Sequence, residues 1–297
     1  MGQTKKLRGH LKSPYAYYLM LPALLVYALL FVLPALSGLL LSFFNVKSFK
    51  LSTITLAGLE NYATVLRNPY FSIAIKNTLL FAVVTTLGKV IFGMALALLV
   101  NQRFHGVNYM RTVFFLPAVL NNVAVGLVFR SMMHPSGLIN QTLSAMGLDM
   151  LMHNWLTDAK IAIFSCAFVE IWKWTGYTMV IFLAGLQSID KTYYEAAQLD
   201  GATYWQQLRS VTIPLIMPAL NNAVVISVVG GLKVDNVQSL TNGGPGNATS
   251  VFGTLIYSSF SSGSYGRGCA ASMILTFFVL LIALPTNRFI SRKEVEV

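Results

Sequence analysis

Glu195-Ala196-Ala197-Gln198-Leu199-Asp200-Gly201-Ala202, running on to Pro214, is the stretch whose reading settles how this chain is built. It lies in a polar island of roughly 25 residues, too long for an ordinary structureless connector. On either side stands an apolar run long enough to cross a bilayer. Helix signals fill the island. Thr192 stands three residues before Glu195, the spacing of a capping box in which hydroxyl and carboxylate each satisfy a backbone N–H. Gly201 permits a sharp turn at positive φ. Thr203 and Gln206 repeat the capping-box spacing, and Tyr204, Leu208 and Val211 form a narrow apolar stripe. Pro214 suits the first turn of a following helix. The spacing predicts helix, tight turn, helix over residues 188–214, standing clear of a membrane.

Outward from this island the chain is mostly apolar. It has 297 residues, 55% hydrophobic and 10% charged, and its mean hydropathy is +0.64. Soluble domains average about 25% charged residues, so the composition points to a polytopic membrane protein of all-α class. Six runs predict six transmembrane helices, at about 16–44, 71–100, 112–133, 159–186, 213–232 and 269–290, after a basic tail over 1–15. The island then falls between the fourth and fifth. The first run holds Pro22 and Pro34 and is too long for a signal-peptide core, so it reads as a retained, kinked span. Residues 138–146 predict a short amphipathic helix outside the membrane, ended by Gly147.

The net charge of +11 would suit nucleic acid if it were clustered on a soluble face. Instead Lys5, Lys6, Arg8, Lys12, Arg103, Arg111, Arg292 and Lys293 sit at the ends of apolar runs. That distribution places both termini and the island in the cytoplasm, with Lys47, Lys50 and Arg67 running against the trend. No phosphate-cradling G-x-x-x-x-G-K-[ST] occurs, so the chain is not itself the usual ATPase. His10, His105, His134 and His153 are scattered, and Cys166 and Cys269 suit small buried hydrophobes, so no metal-ligand spacing is present.

Polar residues within the spans are the candidates for a pathway. Glu170 and Lys173 share a helix face and predict a neutralising pair, with Trp172 or Trp174 offering a flat ring face to a solute. Lys89 is a second intramembrane cation without an evident partner. Asn121, Asn122, Asn221 and Asn222 have two readings, hydrogen-bonding to a solute's hydroxyls or gluing helices together. Lys233 and Asp235 close the fifth run, just before Thr241-Asn242-Gly243-Gly244-Pro245.

The spaced pattern of the island resembles the cytoplasmic EAA loop of bacterial ABC importer permeases. Glu195, Ala196, Ala197, Gly201 and Pro214 match it, with Val211 and Ile213 in place of its usual Ile and Leu. The Gly-Gly-Pro segment resembles a loop typical of carbohydrate-importer permeases of the maltose and glycerol-3-phosphate type. Val234 replaces that family's common Phe before Asp235. The resemblance implies ATPase-coupling roles for Glu195, Ala196, Ala197, Asp200, Gly201 and Pro214. It also implies a second permease subunit as heterodimer partner, two ATP-binding subunits and an extracellular or periplasmic solute-binding protein. No cofactor is implied in this chain, because ATP and Mg would sit on the ATPase subunits. Two other readings of the sequence stay open, a stand-alone ion-coupled secondary transporter and a membrane-embedded lipid enzyme.

Overall fold

The computed structural model describes residues 14–47, 54–102, 105–233 and 236–292. The chain runs as α1 (Pro14–Tyr27), a π-type turn (Ala28–Val32), α2 (Leu33–Leu41), β1 (Phe44–Asn45), β2 (Thr55–Leu56), α3 (Glu60–Leu66), α4 (Phe71–Val100) and α5 (Val107–Val119). It continues as α6 (Asn122–Met132), α7 (Leu138–Ala145), α8 (Ala162–Ser188), α9 (Lys191–Leu199), α10 (Tyr204–Gln207), a second π-type turn (Leu208–Thr212) and α11 (Ile213–Leu215). It ends with α12 (Met217–Lys233), α13 (Asn236–Leu240), α14 (Phe252–Ser261) and α15 (Tyr265–Ser291). The basic tail, Lys50, Arg103, Asp235 and Lys293 fall wholly or mainly outside the described residues.

Two compact units divide the chain, residues 1–65 with 259–273 and residues 66–258 with 274–297. In the first, α1 and α2 are joined by the π-type turn. Pro34 has no N–H to offer one turn back, and just before it Leu33 bonds to Ala28 O, five residues away. A two-residue antiparallel ladder pairs Phe44 with Leu56 and Asn45 with Thr55, a small departure from an all-helical chain. The Asn61 amide donates to Ser42 O and Phe44 O, both at 2.9 Å, and Tyr265 N–H donates to Val46 O at 3.0 Å.

The second unit is organised around α8, which packs against α4, α5, α12 and α13. On α4 the buried positions are Ala74, Thr78, Phe81, Ala82, Thr85, Thr86, Lys89, Gly93, Ala97 and Val100, a stripe at helical period. Most of these are small or polar. The large apolar residues Leu79, Leu80, Val83, Leu87, Ile91 and Phe92 point outward instead. A helix in water would invert this arrangement. In a bilayer the lipid solvates large apolar side chains, and small residues let helices approach closely. A Cβ at Gly176 of α8 would lie 1.8 Å from Phe114 O on α5, so only glycine fits that crossing.

Among the described residues, three helices are long and apolar enough to cross a membrane, Tyr18–Leu41, Phe71–Val100 and Tyr265–Ser291, or five crossings if each of two bent pairs counts as one. Residues 112–133, expected as a single span, form α5 and α6 with a 97° bend between them. Pro117 clashes with the turn before it, Leu120 is extended, and the Asn121 side chain restarts the helix by accepting from Val123 and Ala124 N–H at 2.8 and 3.4 Å. The fifth run likewise bends by 70°, at Ile216, so its long helix starts at Met217 and not at 213. The expected short amphipathic helix forms over Leu138–Ala145, with Gly147 at φ +71° after it.

Candidate functional site

Two places carry the features singled out in the sequence. The first lies midway along α8. Toward its start, Ile163, Cys166, Ala167 and Val169 join an apolar cluster with Phe81 and Val237. Toward its end, Met179, Phe182, Leu183 and Leu186 join another with Ala97 and Ile216. Between the two clusters sits a polar layer. Lys89 of α4 pairs with Glu170 at 3.4 Å, and its ammonium also donates to Ser227 O of α12 at 3.4 Å. Asn236 of α13 donates to the other oxygen of Glu170. Lys173 donates to Asn122 and lies 5.3 Å from the Trp174 ring centre. One carboxylate thus links three helices. Charges taken out of water persist only when paired and hydrogen-bonded, and this layer supplies both.

A cavity of about 150 Å³ opens on this layer, lined by Lys89, Asn122, Glu170, Trp174, Tyr177 and Lys233 among others. Of the expected pathway residues it gathers Asn122, Glu170, Trp174 and Lys233. It does not gather Asn121, Trp172, Asn221 or Asn222. Asn121 caps α6, and Trp172 turns outward, edge-on to Phe129 at 5.0 Å. Asn221 is buried and donates to Asn287 at 2.9 Å, while Asn222 lines a different hollow with Phe115 and Tyr177. Asp235 lies outside the described residues. Tyr177, Ser227 and Asn236 are additions that sequence reasoning missed. The spacing Glu170, Trp174, Tyr177, Thr178 is a polar stripe on one face of α8 and was the available signal.

The second place is the island. Its α9 is capped by Asp190, whose carboxylate accepts from Thr192 N–H at 2.9 Å, so the cap expected from Thr192 and Glu195 is not the one formed. That bond holds the Asp190 carboxyl below the usual carboxylate range. Gly201 takes φ +75°, with Ala202 N–H bonded to Ala197 O and Gly201 N–H to Gln198 O, a Schellman ending. The Gln206 side chain closes the expected box on Thr203 N–H at 2.7 Å. Pro214 sits in the first turn of α11. Tyr194 and Thr212 hydroxyls lie 3.1 Å apart and tie α9 to the second π-type turn. Glu195, Ala196, Asp200 and Gly201 are exposed. So are two large apolar side chains, Leu199 at 91% and Trp205 at 74%.

The Gly-Gly-Pro loop is likewise held. Thr249 donates to Gly244 O at 2.6 Å, and Asn77 of α4 donates to Ala248 O and Ser250 O at 2.8 and 3.0 Å.

Known proteins share this architecture along its whole length. The model for "binding-protein-dependent transport system inner membrane component" matches residues 89–292. The probable ABC transporter permease protein YurN of Bacillus subtilis is 35% identical, covering 92% of this chain and 94% of its own. The trehalose/maltose transport system permease MalF of Thermococcus litoralis is 32% identical, covering 96% and 97%. The solved bacterial alginate ABC transporter, in complex with an alginate pentasaccharide-bound periplasmic protein, superposes with a TM-score of 0.79 at 28% identity, covering 98% and 100%. The chain belongs to the binding-protein-dependent transport system inner membrane components.

Proposed function

We propose that this permease is one membrane half of an ATP-driven importer that takes up a sugar or oligosaccharide delivered by an external binding protein. A second permease forms the other half, and two ATPase subunits, which hold ATP and Mg, grip the segment from Asp190 to Pro214. The observation that carries the reading is the combination of rigid caps with exposed Leu199 and Trp205. Apolar side chains on a stiff, polar segment mark a docking surface, and a stiff lever transmits displacement where a slack loop would absorb it. Closing of the ATPases would then rock the two permeases between outward-open and inward-open states. Nucleotide drives that exchange only through unequal affinity for the two states.

The sugar assignment rests on relatives named for trehalose/maltose, lactose and alginate transport. The polar layer on α8 supports it, because amide, ammonium, carboxylate and indole groups together suit a hydroxyl-rich solute. Six crossings follow if α8, about 40 Å long, and α12 cross along with the three long helices and the bent pair α5–α6. Both termini and the Asp190–Pro214 segment then share the cytoplasmic side.

The test is uptake by the reconstituted assembly. Gly201→Asp or Glu195→Lys is expected to leave the protein inserted and assembled while separating ATP hydrolysis from sugar uptake. Uptake that resists vanadate but collapses with an ionophore would instead identify ion-coupled transport. A cysteine at position 205 that reacts only with reagent outside the cell would overturn the docking role.

A further inference from the structure

We propose that the cavity between α7 and the first turns of α8 takes up an acyl chain of a membrane phospholipid. The cavity encloses about 370 Å³. It runs from Phe164 and Phe168 of α8, 47% and 55% exposed, inward to Met133, 3% exposed. Ile139 of α7 and the Trp155 ring also line it. Asn140 fixes this part of the lining. It is buried, and its amide donates to Pro135 O and His153 O at 2.9 and 3.0 Å. Its oxygen accepts from the Trp155 indole N–H at 2.8 Å, so the polar edge of the indole is engaged and the ring is left to the cavity. Met133 and Ile163 join the apolar cluster of Phe81 and Val237, which backs the site.

Chemistry selects the occupant. Among the described residues the lining carries no charged side chain, and Ser165 is its only hydroxyl. A water molecule needs about two to four polar partners, which this lining does not provide. Left empty, a void of that size forfeits dispersion contacts for the side chains around it. Hydrocarbon meets both conditions. Its source is the surface on which the cavity opens. Phe164, Phe168 and Trp172 recur every fourth residue as an exposed aromatic stripe on α8, the same outward-facing apolar pattern as on α4. The helix is about 40 Å long against a hydrocarbon core of about 30 Å, so its first turns stand near the edge of that core, level with the upper acyl chains. Trp155 has the amphipathic ring typical of that boundary. The site requires α8 to cross the bilayer, as proposed above, and is independent of what the permease carries.

Photo-crosslinking tests the site, using nanodiscs of phosphatidylcholine that bears a diazirine on its acyl chain. The full chain is labelled alone and in the reconstituted assembly, and adducts are mapped to residues by mass spectrometry. Adducts are expected at Met133 as well as at Phe164 and Phe168. Ser165→Leu fills the cavity and should lower the Met133 adduct about tenfold, the displacement of about two buried methylenes, while Phe168 stays labelled. If that variant loses the wild-type melt, Ile139→Phe fills the same space from α7 and decides alone. Adducts at Phe164 and Phe168 without one at Met133 mean that lipid only coats the surface, and overturn the site. An unchanged Met133 adduct in the filled variant overturns it too. A Met133 adduct that is lost in the assembly gives the cavity to a partner subunit and also overturns the proposal. No label anywhere on Phe164, Phe168 and Trp172 would sink the crossing of α8 together with the site.

Discussion

The polar layer on α8 and the exposed segment from Asp190 to Pro214 are built from the same residue types but held by opposite means. In the layer, Glu170, Lys89, Asn236 and Ser227 come from four helices, and each is kept by a partner distant in sequence. In the exposed segment nearly every bond is local. Asp190 holds Thr192, Ala197 holds Ala202, and Gln206 holds Thr203. Removing a member of the layer strands a buried charge. Removing a member of the segment leaves groups that water can satisfy. The layer should therefore carry stability, whereas the segment should carry coupling with little effect on stability.

The largest effect that would test this contrast is at Glu170. Glu170→Ala leaves Lys89 buried without its counter-charge and is expected to cost about 3–5 kcal/mol, read as a lowered melting temperature of the purified chain. Lys89→Met combined with Glu170→Leu should recover most of that loss, since a neutral pair strands no charge. If the double variant melts as low as the single one, the carboxylate's bond to Asn236 matters more than the ion pair.

Next is Gly176→Val, which forces a side chain against Phe114 O and should cost about 1–3 kcal/mol. Gly201→Ala comes third, at about 1–2 kcal/mol for a left-handed residue bearing a Cβ. The contrast predicts that this third change leaves the global melt nearly unmoved and is seen as local hydrogen exchange in α9 and α10. A melt lowered by Gly201→Ala as far as by Glu170→Ala would break it.

The smallest effect concerns Asp190. Its folded carboxyl pKa lies below the unfolded value because Thr192 N–H bonds the charged form. The cap's contribution is therefore complete above the ordinary carboxylate pKa and fades as pH falls through the lower, folded value. Protection of the Thr192 amide should weaken on acidification through that range in wild type, and Asp190→Asn should remove the pH dependence.

Much of the segment was legible because its determinants sit within a few residues of one another. Gly201, Thr203 and Gln206 take the places that cap geometry demands. The start of α9 was misplaced by two residues because Asp190 and Thr192 both suit an N-cap. The layer was half legible. Glu170 and Lys173 stood out as charges in an apolar run, but the pairing of Glu170 with Lys89 was hidden behind the packing of α4 on α8. The 97° bend at Leu120 was hidden too, since Pro117 within an apolar run is equally compatible with a mild kink.

By itself the amino-acid order determined that the chain lives in a membrane, where its apolar runs lie, and that a capped helical pair interrupts them. Hydropathy and capping act over neighbouring residues, so no fold is needed to read them. Only the tertiary structure decided which of the intramembrane polar residues meet. Asn121 became a helix cap and Asn122 a partner for Lys173 because a bend of the backbone separated two adjacent side chains. Residues far apart in sequence share a site only once close packing at positions such as Gly176 has brought their helices together.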